Sequence, residues 1–309
     1  MIKFILHRIL VALPLLFVIA TLCFFMVRLV PGGPFDGEKT LSEETLKALN
    51  TYYGFDKSLP EQYVTYLGNI CKGDFGPSYK YQGWTVGEII MQKAPVSLKL
   101  GAMALGLALV LGLTVGILCA VFQNRLPDKI LGAVSLLGIC LPSFVVAPLL
   151  ILIFAVKFKS FNVFGWNSFS DMILPAISLA IFYFAWIAKL VRSQMIEVLD
   201  KAYIRTAKSK GVSAFSLYFK HSLRNASLPL VSYLAPSAAG LLTGSFVVES
   251  IFQIPGLGRF FISSALDRDY TMIMACVLLY AFFIICFNIL ADIIMAILNP
   301  RFAQGLGLR

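Results

Sequence analysis

Histidine is nearly missing from this chain: His7 and His221 are the only two in 309 residues. Neither has a nucleophile or second ligand nearby, and no paired carboxylates fall inside an apolar stretch. Acid–base, nucleophilic and metal chemistry are therefore poorly supplied, so no catalytic residue and no metal site is expected. Cysteine is equally uninformative. Cys23, Cys119, Cys140, Cys276 and Cys286 lie in apolar stretches, which leaves Cys71 alone and excludes a disulfide framework. There is no Gly-x-x-x-x-Gly-Lys-Ser/Thr run to cradle phosphates, so any ATP must be hydrolysed by another protein. Charge is scarce at 14%, and Asp292 is the one carboxylate inside the apolar stretches. With no visible inverted repeat, that argues against an ion-driven secondary transporter. Asp292 itself reads either as a functional carboxylate or as one reaching the interface or a partner helix.

What the chain has is apolar length. It is 59% hydrophobic, with a mean hydropathy of +0.83, and period-two alternation is absent. Six stretches, near 9–27, 98–122, 130–156, 172–190, 226–248 and 272–298, each meet the roughly 20 residues a bilayer requires. The expectation is an all-α membrane protein of six spans. Arg28 and the break Pro31-Gly32-Gly33-Pro34 follow the first stretch in place of a cleavage site, so it is read as a retained helix. Between the first two spans, 28–97 has soluble composition and should fold outside the membrane. Thr40-x-x-Glu43 there reads as a capping box starting a short helix. The expected divisions are 1–93, with the first span and soluble loop, a core at 94–298, and a tail at 299–309.

Basic residues set the orientation. With the N-terminus inside, the inner segments collect 14 Lys and Arg, against Asp128, Glu197 and Asp200. The net charge of +10 is thus explained by topology without nucleic acid, and both termini are expected in the cytoplasm.

Three spans have unusual composition. The second places Ala104, Ala108, Gly112, Gly116 and Ala120 on one ridge, flat enough for another helix to approach. In the third, Pro142 and Pro148 remove backbone donors and should bend it, which suits a gate. The fifth carries Pro236, a further candidate gate or bend, with Ser237, Gly240, Thr243, Gly244 and Ser245, followed by Glu249. Ser237, Thr243, Ser245 and Glu249 are candidate pathway residues, although Gly240-x-x-x-Gly244 equally suits tight packing.

The inner loop at 192–225 is the most informative segment. Arg192, Lys201, Arg205, Lys208, Lys210, Lys220 and Arg224 make it basic. Met195, Leu199, Tyr203 and Ala207 recur every four residues, the pattern of an amphipathic helix. Gly211 stops that helix and Ser213 can cap the next, whose Phe215, Leu217, Tyr218 and Phe219 are too apolar for a free loop. Such a surface docks a soluble partner or lies on anionic lipid.

These residues carry a resemblance. Tyr203-Ile204-Arg205-Thr206-Ala207-x-x-Lys210-Gly211, followed by His221-x-Leu223-Arg224-Asn225-Ala226-x-x-Pro229, resembles the coupling loop of permease subunits of ABC importers, in the variant of the oligopeptide and dipeptide branch. The likeness extends to Arg28-x-x-Pro31-Gly32, Gly73-Asp74-Phe75-Gly76-Pro77-Ser78, Pro142-Ser143-Phe144, Pro255-Gly256-x-Gly258 and Arg268-Asp269-Tyr270. It implies a type I importer permease fold in a bacterial inner membrane. It further implies a homologous second permease, two cytoplasmic ATPases holding ATP and Mg, and an extracytoplasmic binding protein that delivers peptide. By the same resemblance Tyr203, Arg205, Thr206, Ala207, Lys208, Lys210, Gly211, His221, Arg224 and Asn225 face the ATPase, with Ala207 allowing close approach. The cargo is expected to be oligopeptide, with dipeptides, nickel chelates and other peptide-like molecules as alternatives within the branch.

Overall fold

The computed structural model describes residues 2–30, 32–35 and 43–298. Thr40 of the expected capping box and the 299–309 tail lie outside them. Among the described residues every regular element is helical, and five helices are long and apolar enough to cross a membrane. These are α1 (Ile2–Leu29), α4 (Val86–Val121), α7 (Phe169–Leu199), the broken helix α10 (Leu228–Leu242) with α11 (Phe246–Ile251), and α13 (Tyr270–Leu298). The sixth expected span is a bent pair. Helix α5 (Leu126–Cys140) stops before Pro142, and α6 (Ser143–Leu150) continues as a π-helical turn, Ile151–Lys157, at 106° to it. Leu141 and Pro142 are both extended, because the proline ring disfavours helical backbone in the residue before it. The expected bend is thus a near-right-angle corner. Helix α4 also begins earlier than its apolar stretch, at Thr85, whose side chain caps the helix with Glu88, and it runs unbroken past residue 93.

The core is the α4–α7 pair, and the small-residue ridge builds it. Ala104, Ala108 and Ala120 are buried. A methyl added at Gly112 would fall 2.6 Å from Ile187 Cγ2, and one at Gly116 2.7 Å from Val191 Cβ. The two helices therefore approach as closely as glycine permits. Helix α1 packs at the edge against α13, leaving Leu6, Leu10, Leu13 and Phe17 outward as lipid-facing surface. Arg8 Nη2 lies 2.9 Å from Asp292 Oδ2 at one end of that pair. Asp292 therefore has a helix partner, the second of its two readings.

Between α1 and α4, helices α2 (Glu43–Tyr53) and α3 (Leu59–Cys71) form the soluble loop. They enclose an aromatic cluster of Phe24, Phe35, Tyr53, Phe55, Tyr63, Tyr66 and Tyr79. The cluster is closed by the Gly73–Ser78 motif. Ser78 Oγ donates to the buried carboxylate of Asp269, which also accepts from Thr271 Oγ1 at 3.0 Å and Met272 N–H at 3.3 Å. Two motifs nearly 200 residues apart in sequence are therefore one joint between the loop and the start of α13.

Candidate functional site

Helix α8 (Ala202–Ser209) is the exposed basic element anticipated in the inner loop, but it is shorter than the apolar period suggests. Met195 and Leu199 belong to α7, which ends at Leu199 with Asp200 as its C-cap. Lys201 is then extended (φ −70°, ψ 147°), so Tyr203 and Ala207 sit on a separate helix. The four-residue stripe is divided by that corner. Helix α8 is held by Ile204, 3% exposed, and by Ala207, half-buried against the main core. Ala207 therefore lets α8 approach its own bundle.

Tyr203, Arg205, Thr206, Lys208, Lys210 and Gly211 are exposed, leaving a cationic outer face. Gly211 takes φ +77°, which a side chain would strain. Val212 N–H returns to the Ala207 carbonyl at 3.2 Å, closing the helix end. Beyond the turn, a π-helical segment, Ser216–Ser222, and α9 (Leu223–Ala226) lead into α10. Asn225 Nδ2 donates to Tyr203 Oη at 2.8 Å, tying α8 to that segment. Arg224 and Asn225 are exposed, and His221 is half-buried. Phe215 and Phe219 stack with ring centroids 4.6 Å apart and remain 72% and 44% exposed, an apolar pair beside the cationic helix that composition alone flagged only as too apolar for a loop.

A second contact braces this end of the bundle. Arg192, near the end of α7, reaches Asp128 on α5 through Nε at 2.6 Å and Nη2 at 2.8 Å, and Asn124 N–H donates to the same carboxylate. Arg192 is thus an internal tie, where sequence counted it in the basic docking surface.

The candidate pathway residues separate in the structure. Ser237 is buried and donates to the Tyr233 carbonyl, and Thr243 donates to the Ala239 carbonyl. Pro236 lies inside α10, whose helix runs on through it to Leu242. Thr243 lines a cavity of about 280 Å³ and Ser245 a neighbouring one of about 510 Å³; Gly240 and Gly244 belong to both walls. Pro142 also lines the larger cavity, whereas Pro148 sits within α6. Glu249 lines neither, which corrects its expected place on the pathway. Its carboxylate is fully buried, accepting from Ser97 Oγ (2.7 Å) and Arg259 N–H (3.2 Å), while Ser97 Oγ accepts from Leu257 N–H (2.8 Å). It therefore closes the N-terminus of α12 (Leu257–Leu266), where unpaired backbone donors favour an anion. The glycines of Pro255-Gly256-x-Gly258 make room for it: a methyl at Gly256 would lie 2.6 Å from both Glu249 Cδ and Ser97 Oγ.

Comparison with known proteins agrees with this architecture. Residues 112–304 match the family described as binding-protein-dependent transport system inner membrane component, and residues 1–101 match its N-terminal family. The chain is 46% identical to the oligopeptide transport system permease protein OppB of Haemophilus influenzae, over 97% of this chain and 99% of that one. It is 42% identical to the dipeptide transport system permease protein DppB of Lactococcus lactis subsp. cremoris, with the same coverage. Among solved structures, the MetNI methionine ABC transporter in inward-facing conformations matches with a TM-score of 0.56 at 16% identity, over 68% of this chain and 96% of that one. That likeness shows the fold of an ABC importer permease. With both family matches and near-full-length relatives in hand, the chain belongs to the binding-protein-dependent transport system inner membrane components, as a multi-pass membrane permease subunit.

Proposed function

We propose that this permease carries oligopeptides into the cytoplasm, driven by ATP hydrolysed on two partner ATPases that hold the nucleotide and Mg. A homologous second permease completes the pathway, and an extracytoplasmic binding protein delivers the peptide. Both termini lie on the cytoplasmic side of a bacterial inner membrane, because the basic α8 face and the other inner cations then follow the positive-inside rule. The observation that carries the cargo is the 46% identity to an oligopeptide permease along almost the whole of both chains. The 42% identity to a dipeptide permease favours dipeptides as the second reading.

Helix α8 is the coupling element. Its outer residues Tyr203, Arg205, Thr206, Lys208 and Lys210 meet the ATPase, together with Arg224, Asn225 and His221 beyond the Gly211 turn. Ile204 and Ala207 fasten it to the bundle, and the Asn225–Tyr203 bond fastens it to the segment leading into α10. A push on α8 is thereby delivered to α7 and α10 together. ATP binding drives transport only if it favours one of two bundle arrangements, since a ligand shifts an equilibrium through differential affinity. Thr243 and Ser245 lie at the α10–α11 break, with Pro142 opposite, and form the pathway wall.

Gly211→Val tests the coupling. Valine at φ +77° strains the turn, so the variant should insert into the membrane normally but import no peptide. Normal peptide-stimulated ATPase activity in that variant would sink the proposal. Uptake measured across peptide lengths from two to six residues decides between the two cargoes.

A further inference from the structure

The corner where α4, α5 and α7 meet holds a cavity of about 300 Å³, separate from the α10 cavities and from α8. Its wall carries the cations Lys129, Lys189 and Arg192 and the carboxylate of Asp128. Arg192 and Asp128 are spent on each other, at 2.6 and 2.8 Å. Lys129 and Lys189 are exposed and have no hydrogen-bond or ion-pair partner among the described residues. Two positive charges are thus left without an answer in the chain. Gly132 keeps the cavity open, since a methyl group there would meet no atom within 4 Å.

This corner lies at the level of a membrane surface. The turn of Gln123, Asn124 and Arg125 between α4 and α5 is polar and exposed, and Asn124 is part of the cavity wall. Farther from that turn, the same helix faces become apolar. One turn from Lys189 stands Trp186, 43% exposed, and two turns from Lys129 stands Leu136, 50% exposed. A lysine followed by an exposed tryptophan or leucine, on both walls, is the order of side chains at a bilayer interface. A soluble anion would use the lysines and leave the apolar side chains without a role.

We propose that this cavity binds the headgroup of an anionic phospholipid, with its phosphate between Lys129 and Lys189 and an acyl chain along Trp186 and Leu136. Basic cavities between membrane helices hold such headgroups. Asp128 is already engaged by Arg192 and by Asn124 N–H, so the amine of a zwitterionic headgroup finds no partner here. That sets the preference for a lipid of net negative charge. The bound lipid spans α5 and α7, the two helices that the Arg192–Asp128 contact also ties. None of this depends on which cargo the permease carries.

For the test, the complete importer in detergent is titrated with phosphatidylglycerol or phosphatidylcholine, and bound lipid is read by native mass spectrometry. The wild type should bind its first phosphatidylglycerol about twenty-fivefold more tightly than phosphatidylcholine, at about fivefold per lysine. Lys129→Gln combined with Lys189→Gln should bind the two lipids equally. Gly132→Leu keeps both charges, suits the helix better than glycine and fills the cavity, so it should also lose the preference. Equal binding of the two lipids by the wild type would overturn the proposal. So would an undiminished preference in Gly132→Leu, because the lysines would then be attracting lipid as loose surface charges. Glycerol 3-phosphate separates the sources. If it displaces phosphatidylglycerol at millimolar concentration, the cavity is a site for soluble phosphate esters and the lipid assignment falls; no displacement supports the lipid.

Discussion

Glu249 decides what the residues around it can be. Its carboxylate fills the space where side chains at Gly256 and Gly258 would lie, and Ser97 approaches from α4 on the other side. Gly256→Ala should therefore force apart a packed, hydrogen-bonded knot, costing about 1–3 kcal/mol as overpacking does. Gly68→Ala is the natural control. It lies inside α3 with open space around its Cα, and alanine there should stabilise by about 0.5–1 kcal/mol. Thermal unfolding in detergent should show the two shifts with opposite signs; a neutral Gly256→Ala would mean that the knot is loose. Pro255-Gly256-x-Gly258 is visible in the sequence as a motif, but the reason for its glycines is not. That reason is a carboxylate seven residues earlier and a hydroxyl from another helix, and no local spacing encodes either.

At the scale of elements, α8 is a short helix hung on one deep anchor. Burying an isoleucine contributes about 1.5–3 kcal/mol, so Ile204→Asn should release α8 from the bundle while leaving its cationic face intact. The expected outcome is that the ATPases still co-purify but peptide no longer stimulates hydrolysis, with uptake reduced at least tenfold. Unchanged uptake would show that α8 needs no fixed seat. The location of this helix was legible, because basic residues interleaved with apolar ones stand out in a chain this hydrophobic. Its start was not, since Met195, Leu199, Tyr203 and Ala207 keep their period across a corner at Lys201. Past the corner the buried position shifts from Tyr203, which is exposed, to its neighbour Ile204, so the unbroken sequence period hides the break. The bend at Pro142 was legible as a bend, but its 106° angle is set by how α6 packs on α7.

The spans of the whole molecule could be read from composition, because twenty apolar residues have few other uses. How distant segments lock together could not. Asp269 joins the loop at Ser78 to the start of α13, and Asp269→Ala would leave the Ser78 hydroxyl and the Met272 N–H without their acceptor, while Thr271 Oγ1 keeps the Pro77 carbonyl at 2.7 Å. The soluble loop should then open: limited proteolysis of the intact importer should cleave between residues 72 and 82 faster than in the wild type, with the membrane helices still protected. Equal cleavage rates would show that the aromatic cluster holds the loop alone.

The pairing of α1 with α13 has a consequence in time. Arg8 and Asp292 are 284 residues apart in sequence, and synthesis at about 5–20 residues per second separates their emergence by roughly 15–60 s. Throughout that interval the first helix resides in the bilayer without the neighbour it finally packs against. Its outward leucines and phenylalanines make that wait tolerable, and α13 then completes a clasp whose other half has long been in place.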